Sequence, residues 1–329
     1  MNRTSAVSCP PGFGPVERVH PAPRLAVLAL VVLTQSWGLR AAPAAGPTPL
    51  RFGFAAETLS GVNESDARAA LKVWAQTVGT ERGIPVDPLM SIYPDTAALG
   101  GALRQEQVDA VTLSTEQYWQ LRREIPFSAL VLGKIQGKFT EEYVLLVRRD
   151  GPVVRLADLR GRSVNIHQGP RGNLGALWIE TLLLEARQGR ADAFWGKVTR
   201  SAKTASVVLP VFFKQADACI VTRNGFDTMN ELNPQVGRQL KILAESPPLV
   251  PTVFCFRASL VSPYRDKLVA EIDQISKSVA GRQSLALFQS EQLTEQPWAI
   301  LDETCALLDR HHELRAAAGP VSADEGVAK

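Results

Sequence analysis

The chain has 329 residues, of which 45% are hydrophobic and 21% are charged. This balance is typical of one large or two medium folded domains, and it argues against bulk disorder and against a protein with many membrane spans. Lys and Arg number 36 and Asp and Glu number 33, so the formal charge of +3 provides no general attraction to nucleic acid.

The N-terminal segment has the pattern of a secretory signal. Residues 25–33 are an uncharged apolar run, Arg18 and Arg24 precede it, and the A-x-A sequence at 42–44 follows it. The run is much shorter than the roughly 20 apolar residues that span a bilayer. We therefore predict that residues 1–44 are a signal peptide and that the protein is exported. The alternative is a buried helix or strand.

Cleavage after this segment leaves Cys219, Cys255 and Cys305. Three thiols cannot all pair within one chain, and four cysteines in the whole sequence are too few for a disulfide scaffold. We predict buried thiols, with a Cys219–Cys255 disulfide as the alternative.

Strand and helix patterns alternate through the first part of the mature chain. Short apolar runs typical of strands lie at 50–55, 86–92 and 108–113. Helical patterns follow them, at 65–78, 96–105 and 115–123. This alternation predicts a parallel sheet covered by helices.

Strands predicted at 129–132 and 143–147 come next, and a second unit of the same kind starts after 148. This unit has predicted strands at 163–166, 218–221 and 240–243 and predicted helices at 174–186, 204–214 and 228–232. After a Pro-rich extended connector the chain continues with a strand at 253–256 and helices at 263–279, 285–288 and 300–314. Residues 316–329 are expected to form a disordered tail.

The two units predict a two-lobed molecule. Chain crossings near 143–149 and 247–252 form a hinge, so that lobe one is 45–147 with 252–315 and lobe two is 148–251. A cleft between such lobes is a natural site for a small ligand, and hinge closure on a ligand is an established motion.

Five segments resemble the phosphate, phosphite and phosphonate-binding proteins of ABC importers. They lie at 51–55, 93–110, 156–164, 213–219 and 240–251. The resemblance implies the α/β fold of a type II periplasmic binding protein, with a helix-flanked sheet in each lobe. It also implies a periplasmic location, a small anionic ligand of the phosphonate or phosphate kind, and an ABC permease or a membrane sensor as partner. No cofactor, no catalysis and no nucleic acid are expected.

The loop at 168–174 is the strongest candidate for the anion site. Relatives that bind phosphonates have a loop rich in Ser and Thr here, whereas this loop contains neither. A helix follows it, and the N-terminus of a helix attracts anions. Arg171 is a candidate for bidentate pairing with an oxyanion, and Gly172 allows close backbone approach. Asn173 is either a ligand contact or a helix cap.

Other candidate ligand contacts follow predicted strand ends or helix starts. In lobe one these are Glu57, Thr58, Ser60, Tyr93, Thr96, Ser114 and Thr115. In lobe two and at the hinge they are Lys203, Thr204, Asn224 and Thr252. For each of them the alternative is a structural role, as a helix cap, a core residue or a solvated loop residue.

The sequence offers no signature of catalysis or of metal binding. His311 and His312 are adjacent on a predicted helix, so they do not face one another, and we expect no metal there. A Walker loop, a G-x-G-x-x-G fingerprint and a G-x-S-x-G elbow are missing from the sequence. A periplasmic binding protein for transport is therefore the leading hypothesis. A ligand sensor on the same fold is the second, and an exported enzyme on this fold is the third.

Overall fold

The computed structural model describes residues 48–319 except 62 and 288. The predicted signal peptide and residues 320–329 of the predicted tail lie outside this range. The strands are β1 (Phe52–Ala55), β2 (Ser91–Tyr93), β3 (Ala110–Ser114), β4 (Phe127–Lys134), β5 (Tyr143–Arg148), β6 (Ser163–His167), β7 (Lys197–Ser201), β8 (Ala218–Thr222), β9 (Leu240–Glu245), β10 (Thr252–Arg257) and β11 (Gln292–Glu295).

The α-helices lie between these strands and after them. They are α1 (Glu64–Arg82), α2 (Thr96–Arg104), α3 (Thr115–Leu121), α4 (Asn173–Glu185), α5 (Ala191–Phe194), α6 (Thr204–Phe212), α7 (Arg223–Leu232), α8 (Pro234–Gln239), α9 (Pro263–Glu271), α10 (Val279–Leu287) and α11 (Asp302–Ala317). In the part of the chain that the structure describes, no helix is long and apolar enough to span a bilayer.

Lobe one is built on a six-stranded sheet in the order β11-β4-β10-β3-β1-β2. Strand β1 is parallel to β2 and β3, and β10 runs antiparallel between β3 and β4. Side chains alternate between the two faces of the sheet. Phe52 and Phe54 pack with Trp74 of α1 on one face, whereas Val111 and Leu113 pack on the other.

Lobe two is built on a five-stranded sheet in the order β7-β6-β8-β5-β9. The whole of β5 belongs to this sheet, because it pairs antiparallel with both β8 and β9. The predicted lobe boundary at 147 is therefore wrong by one strand. Its side chains explain the placement: Tyr143 and Leu145 enter one core of lobe two, and Val144 and Leu146 enter the other.

The two lobes are joined by two antiparallel chain segments, which we call the hinge, residues 135–142 and 246–251. Glu141 and Leu249 exchange backbone hydrogen bonds of 2.7 and 2.8 Å. Next to them, the amide of Ser246 donates to the carbonyl of Tyr143 at 2.8 Å, and the Tyr143 amide donates to Ser246 Oγ at 2.8 Å. These paired bonds fix the register of the two crossings.

Helix α11 contacts both lobes. Its Asp309 accepts from Trp119 of α3 at 2.8 Å, and its His311 lies 3.0 Å from Glu180 of α4. The hydrogen bond from His311 and the nearby charge of Arg315 hold the pKa of Glu180 below its usual value, despite burial. The assignment of all of 252–315 to lobe one is therefore too simple. The helix also continues to Ala317, two residues into the predicted tail.

The predicted helix at 263–279 is broken. Helix α9 ends at Glu271, a 3₁₀ turn covers Ile272–Lys277, and α10 begins at Val279. The break brings Gly281 against the backbone of Ile275, where a Cβ would lie 1.8 Å from the Ile275 carbonyl oxygen. Two strands were not predicted: β7 is largely exposed and polar, and β11 is a four-residue edge strand.

Candidate functional site

A cavity opens at the contact between the two lobes and extends into lobe one. We call it the cleft cavity, and its volume is about 70 Å³. Its lining residues come from the sheet and helices of lobe one, from the hinge and from the loop before α4. They are Phe52, Phe54, Thr58, Trp74, Thr112, Val131, Gly133, Phe139, Pro170, Arg171, Pro251, Thr252, Val253, Phe254, Ile272, Ser290 and Leu293.

Two predicted threonines lie in this lining. Thr58 is buried just after β1, and its hydroxyl donates to the Ala55 carbonyl at 2.7 Å. Thr252 lies at the start of β10, and its hydroxyl donates to the carbonyl of Pro170 at 3.0 Å. The second bond joins the lobe-one sheet to the lobe-two loop, so it closes one side of the cavity.

Arg171 lines the cavity but is already paired. Its Nε donates to Glu141 Oε1 of the hinge in a short contact, and the two side chains are only 12% and 8% exposed. The Tyr143 hydroxyl donates to the Arg171 carbonyl at 2.7 Å, which fixes the loop backbone. Arg171 Nη2 is buried and has no hydrogen-bond partner among the described residues. This leaves one guanidinium edge for a ligand oxygen.

Asn173 begins α4 and connects the two lobes. Its Oδ1 accepts from the adjacent Leu174 amide at 3.0 Å, but the N-cap of α4 is Gly172, so Asn173 does not serve as the predicted helix cap. Its Nδ2 lies 3.3 Å from Glu57 Oε1 and 3.3 Å from the Pro251 carbonyl oxygen. Glu57 itself is exposed at the rim of the cleft. Both predicted residues therefore lie at the lobe contact, where they bind one another.

Gly172 is in close contact with His167. A Cβ on Gly172 would lie 2.6 Å from His167 Nδ1 and 2.9 Å from the His167 carbonyl oxygen. The His167 carbonyl oxygen belongs to the backbone at the end of β6, so it cannot move without shifting that strand. Glycine is therefore required here by space, and not by an unusual backbone angle.

We expect Gly172→Ala to displace the loop that carries Arg171. The overpacking should lower the free energy of unfolding by about 1–3 kcal/mol, and it should weaken ligand binding because Arg171 moves. Urea denaturation and ligand titration of the purified variant measure both effects. Gly169→Ala is the matched control, since nothing lies within 4 Å of a Cβ at that position. Equal behaviour of the two variants would contradict the prediction.

The charges around the cavity do not add up to a strongly positive site. Arg171 is compensated by Glu141, and a second carboxylate, Glu116 of α3, lies near Glu57. Burial, together with the charge of Glu57, raises the pKa of Glu116 above its usual value. Burial lowers the pKa of His167, which keeps that ring neutral near pH 7. The site therefore offers hydrogen-bond donors more than net charge.

Ser114 and Thr115 lie beside the cleft, but their hydroxyls serve the protein. Ser114 caps α3 by accepting from the Gln117 amide at 3.2 Å. Thr115 is fully buried and donates to the Val250 carbonyl at 2.6 Å. Both residues thus stabilise the junction of α3 and the hinge.

Six further predicted residues lie outside the lining of the cleft cavity, as do Glu57, Ser114, Thr115, Gly172 and Asn173. Tyr93 packs over Gly53 with the core on the opposite face of the lobe-one sheet, because β1 presents alternate residues to opposite faces. Asn224 lies behind the hinge, in a separate pocket with Glu142 and Arg223. The other four residues lie at the ends of helices and do not line the cavity: Ser60, Thr96, Lys203 and Thr204.

Several cavity residues carry no signal of a ligand site in the sequence. Trp74 is an ordinary core residue of α1, and Phe139 lies in a segment without a helix or strand pattern, as does Glu141, the partner of Arg171. Thr112 carried one usable signal, since it is a polar residue inside the apolar run at 108–113. The remaining lining residues are ordinary core types, and no sequence pattern distinguishes them from the rest of the core.

The described residues provide neither a metal site nor a reactive thiol at the cleft. Within residues 48–319, leaving out 62 and 288, no group of His, Cys, Asp and Glu side chains is arranged to hold a metal ion. Cys219 and Cys255 are buried free thiols on different sheets. Burial raises the pKa of both thiols, so they are not reactive thiolates.

One protein-family profile matches most of the chain. The profile is described as "ABC transporter, phosphonate, periplasmic substrate-binding protein", and it matches residues 58–296. The chain belongs to this family. The match covers lobe two, the hinge and lobe one apart from β1, and it ends before α11. Members of the family are periplasmic, bind small ligands and work with ABC permeases. No curated protein matches the chain by sequence.

Solved structures of similar fold agree with this affiliation. XAC2383 from Xanthomonas citri, bound to chloride, has a TM-score of 0.60 at 17% identity over 82% of this chain and 99% of its own. PhnD1 from Prochlorococcus marinus, in complex with methylphosphonate, has a TM-score of 0.55 at 14% identity over 82% and 99%. A binding protein of an ABC phosphonate transporter from Pseudomonas aeruginosa has 0.56 at 16% over 84% and 90%. These likenesses establish the fold of a type II periplasmic binding protein.

Proposed function

We propose that this protein captures a small organic anion between its lobes and delivers it to the permease of an ABC importer. The observation that carries the proposal is the cleft cavity itself. It lies at the contact of two lobes joined by a two-segment hinge, and the buried Nη2 of Arg171 faces no partner among the residues described. A buried unpaired donor costs about 1–3 kcal/mol, which a ligand oxygen would recover.

The closing contacts support the same proposal. Thr252 binds the Pro170 carbonyl and Asn173 lies at hydrogen-bond distance from Glu57, and each contact joins one lobe to the other. The hinge provides the freedom to break them. A ligand that enters the open cleft is thereby enclosed on closure. We infer that residues 1–44 direct the chain to the periplasm, where the permease is accessible.

A thermal-shift panel tests this function. The purified protein is screened against phosphate, phosphite, alkylphosphonates, sulfonates, carboxylates and amino acids. A true ligand at 100 times its dissociation constant stabilises the folded protein by about 2.7 kcal/mol, so at least one anionic compound should raise the melting temperature by several degrees. Recovery of the compound unchanged after long incubation is also expected. Failure of every compound to stabilise the protein, or turnover of one of them, would overturn the proposal.

A further inference from the structure

Most of the side chains that line the cleft cavity are apolar. Its floor is a row of cross-strand neighbours from β1, β3, β10 and β4, in which Phe54 faces Thr112, Thr112 faces Phe254 and Phe254 faces Val131. A deeper row begins at Phe52, two residues before Phe54 and hence about 6.8 Å further from the cleft. The cavity thus reaches from the lobe contact into the interior of lobe one.

The walls are also apolar. Trp74 of α1 meets Phe52 edge to face, with ring centroids 4.9 Å apart, and Ile272 and Leu293 complete the lining. Of the described residues that line the cavity, Arg171 alone carries a charge, and it belongs to the lobe-two loop at the mouth. An inorganic ion in the inner part would lose its hydration without compensation, whereas an apolar group would gain by burial.

Besides threonine and serine hydroxyls, the lobe-one lining contains one indole N–H, that of Trp74. The indole Nε1 of Trp74 is buried, and the described residues offer it no hydrogen-bond acceptor. Trp74 lines the cavity beside Phe52, and Arg171 lines it from the lobe-two loop. Two side chains that each carry a donor without a partner among the described residues thus line the same largely apolar space. That space is several times larger than one buried water requires.

We propose that the ligand is an amphipathic organic anion with three parts in this order. Its anionic head binds Arg171 at the mouth, an apolar body of several carbon atoms occupies the cavity, and a second acceptor atom receives the Trp74 indole N–H. This inference rests on the proposed function and specifies the ligand class of the same site. Inorganic phosphate and methylphosphonate lack the body and the second acceptor, so they are poor ligands.

The test uses isothermal titration of the purified protein with four probes: phosphate, methylphosphonate, butylphosphonate and (3-oxobutyl)phosphonate. Butylphosphonate should bind at least tenfold more tightly than methylphosphonate, since burial of each methylene contributes about 0.8 kcal/mol. The keto compound has the same chain length and should bind about fivefold more tightly again, through the indole. If methylphosphonate or phosphate binds as tightly as the longer probes, this inference is wrong while the proposed function stands. If no probe binds, this inference fails, and the proposed function is decided by the full thermal-shift panel.

A matched pair of variants isolates the indole donor. Trp74→Phe removes the N–H and keeps an aromatic ring, and it should abolish the preference for the keto compound over butylphosphonate. Trp195→Phe is the control, because Trp195 is another buried tryptophan whose Nε1 lacks a partner among the described residues, but it lies in the core of lobe two. It should leave all four affinities within twofold of the wild type. Retention of the keto preference by Trp74→Phe would overturn the role given to the indole, whatever the stability of the variant.

Discussion

Replacement of Arg171 by Ala is expected to destabilise the protein by about 3–5 kcal/mol and to remove ligand binding. The reason is the burial of its partner, since the Glu141 side chain is 8% exposed and would be left as an uncompensated charge at the hinge. Urea denaturation gives the free energy of unfolding, and titration with the best ligand from the panel gives the affinity.

Removal of both partners separates the two effects. The double variant Arg171→Met with Glu141→Leu replaces the ion pair by apolar groups of similar size, so it should recover most of the lost stability. It should not recover ligand binding, because the guanidinium is still missing. Arg104→Ala is the surface control, since Arg104 and Glu124 are paired in solvent and should contribute less than about 1 kcal/mol. A loss below 1 kcal/mol for Arg171→Ala would refute the buried pair as a hinge element.

Replacement of Asp109 by Asn is expected to cost about 3 kcal/mol of stability, through a site far from the ligand. The carboxylate accepts from Arg51 Nη2 at 2.7 Å, from the Arg51 amide at 3.0 Å and from Arg257 Nη2 at 3.1 Å. It joins the start of β1 to β3 and the end of β10. An amide in its place leaves Arg257, which is 10% exposed, with Glu106 as its remaining carboxylate partner among the described residues.

The same carboxylate predicts the response to acid. Burial alone would raise the pKa of Asp109, but the hydrogen bonds from Arg51 and Arg257 outweigh it and lower the pKa below its usual value. A group whose pKa is lowered on folding contributes stability above its unfolded pKa, about 3.9, and loses it as the pH falls through the folded pKa. The difference in unfolding free energy between wild type and Asp109→Asn should therefore be constant near pH 7 and shrink below about pH 4. A difference that does not change with pH would contradict this account, and Glu124→Gln should show almost no difference at either pH.

Much of the fold could be predicted from the sequence. The alternation of short apolar runs with helical patterns is local information, and it gave the two α/β units and most of their strands. The two polar or short edge strands were missed because they bury too little to leave a pattern. The break in the predicted helix at 263–279 depends on a close backbone contact at Gly281, which is a tertiary feature.

The candidate site was predicted in part. Thr58, Arg171 and Thr252 line the cavity, and Asn173 meets Glu57 at the lobe contact, because loops after strand ends and before helices converge at one edge of each sheet. Tyr93 is the last residue of β2, and the alternation of faces places it on the other side of the sheet. The position of a residue at the end of a strand does not determine on which face of the sheet its side chain lies.

The sequence by itself determined the class of the protein, through two α/β units and the ordered segments of a binding-protein family. Those properties follow from periodicity and local motifs, which each short segment carries independently. Only the tertiary structure decided that Arg171 is paired with Glu141, that β5 lies in lobe two, and that the cavity extends to the Trp74 indole. These features depend on contacts between residues far apart in the chain, such as Glu141 and Arg171, which are separated by 30 residues. The packing of the two lobes brings such residues together.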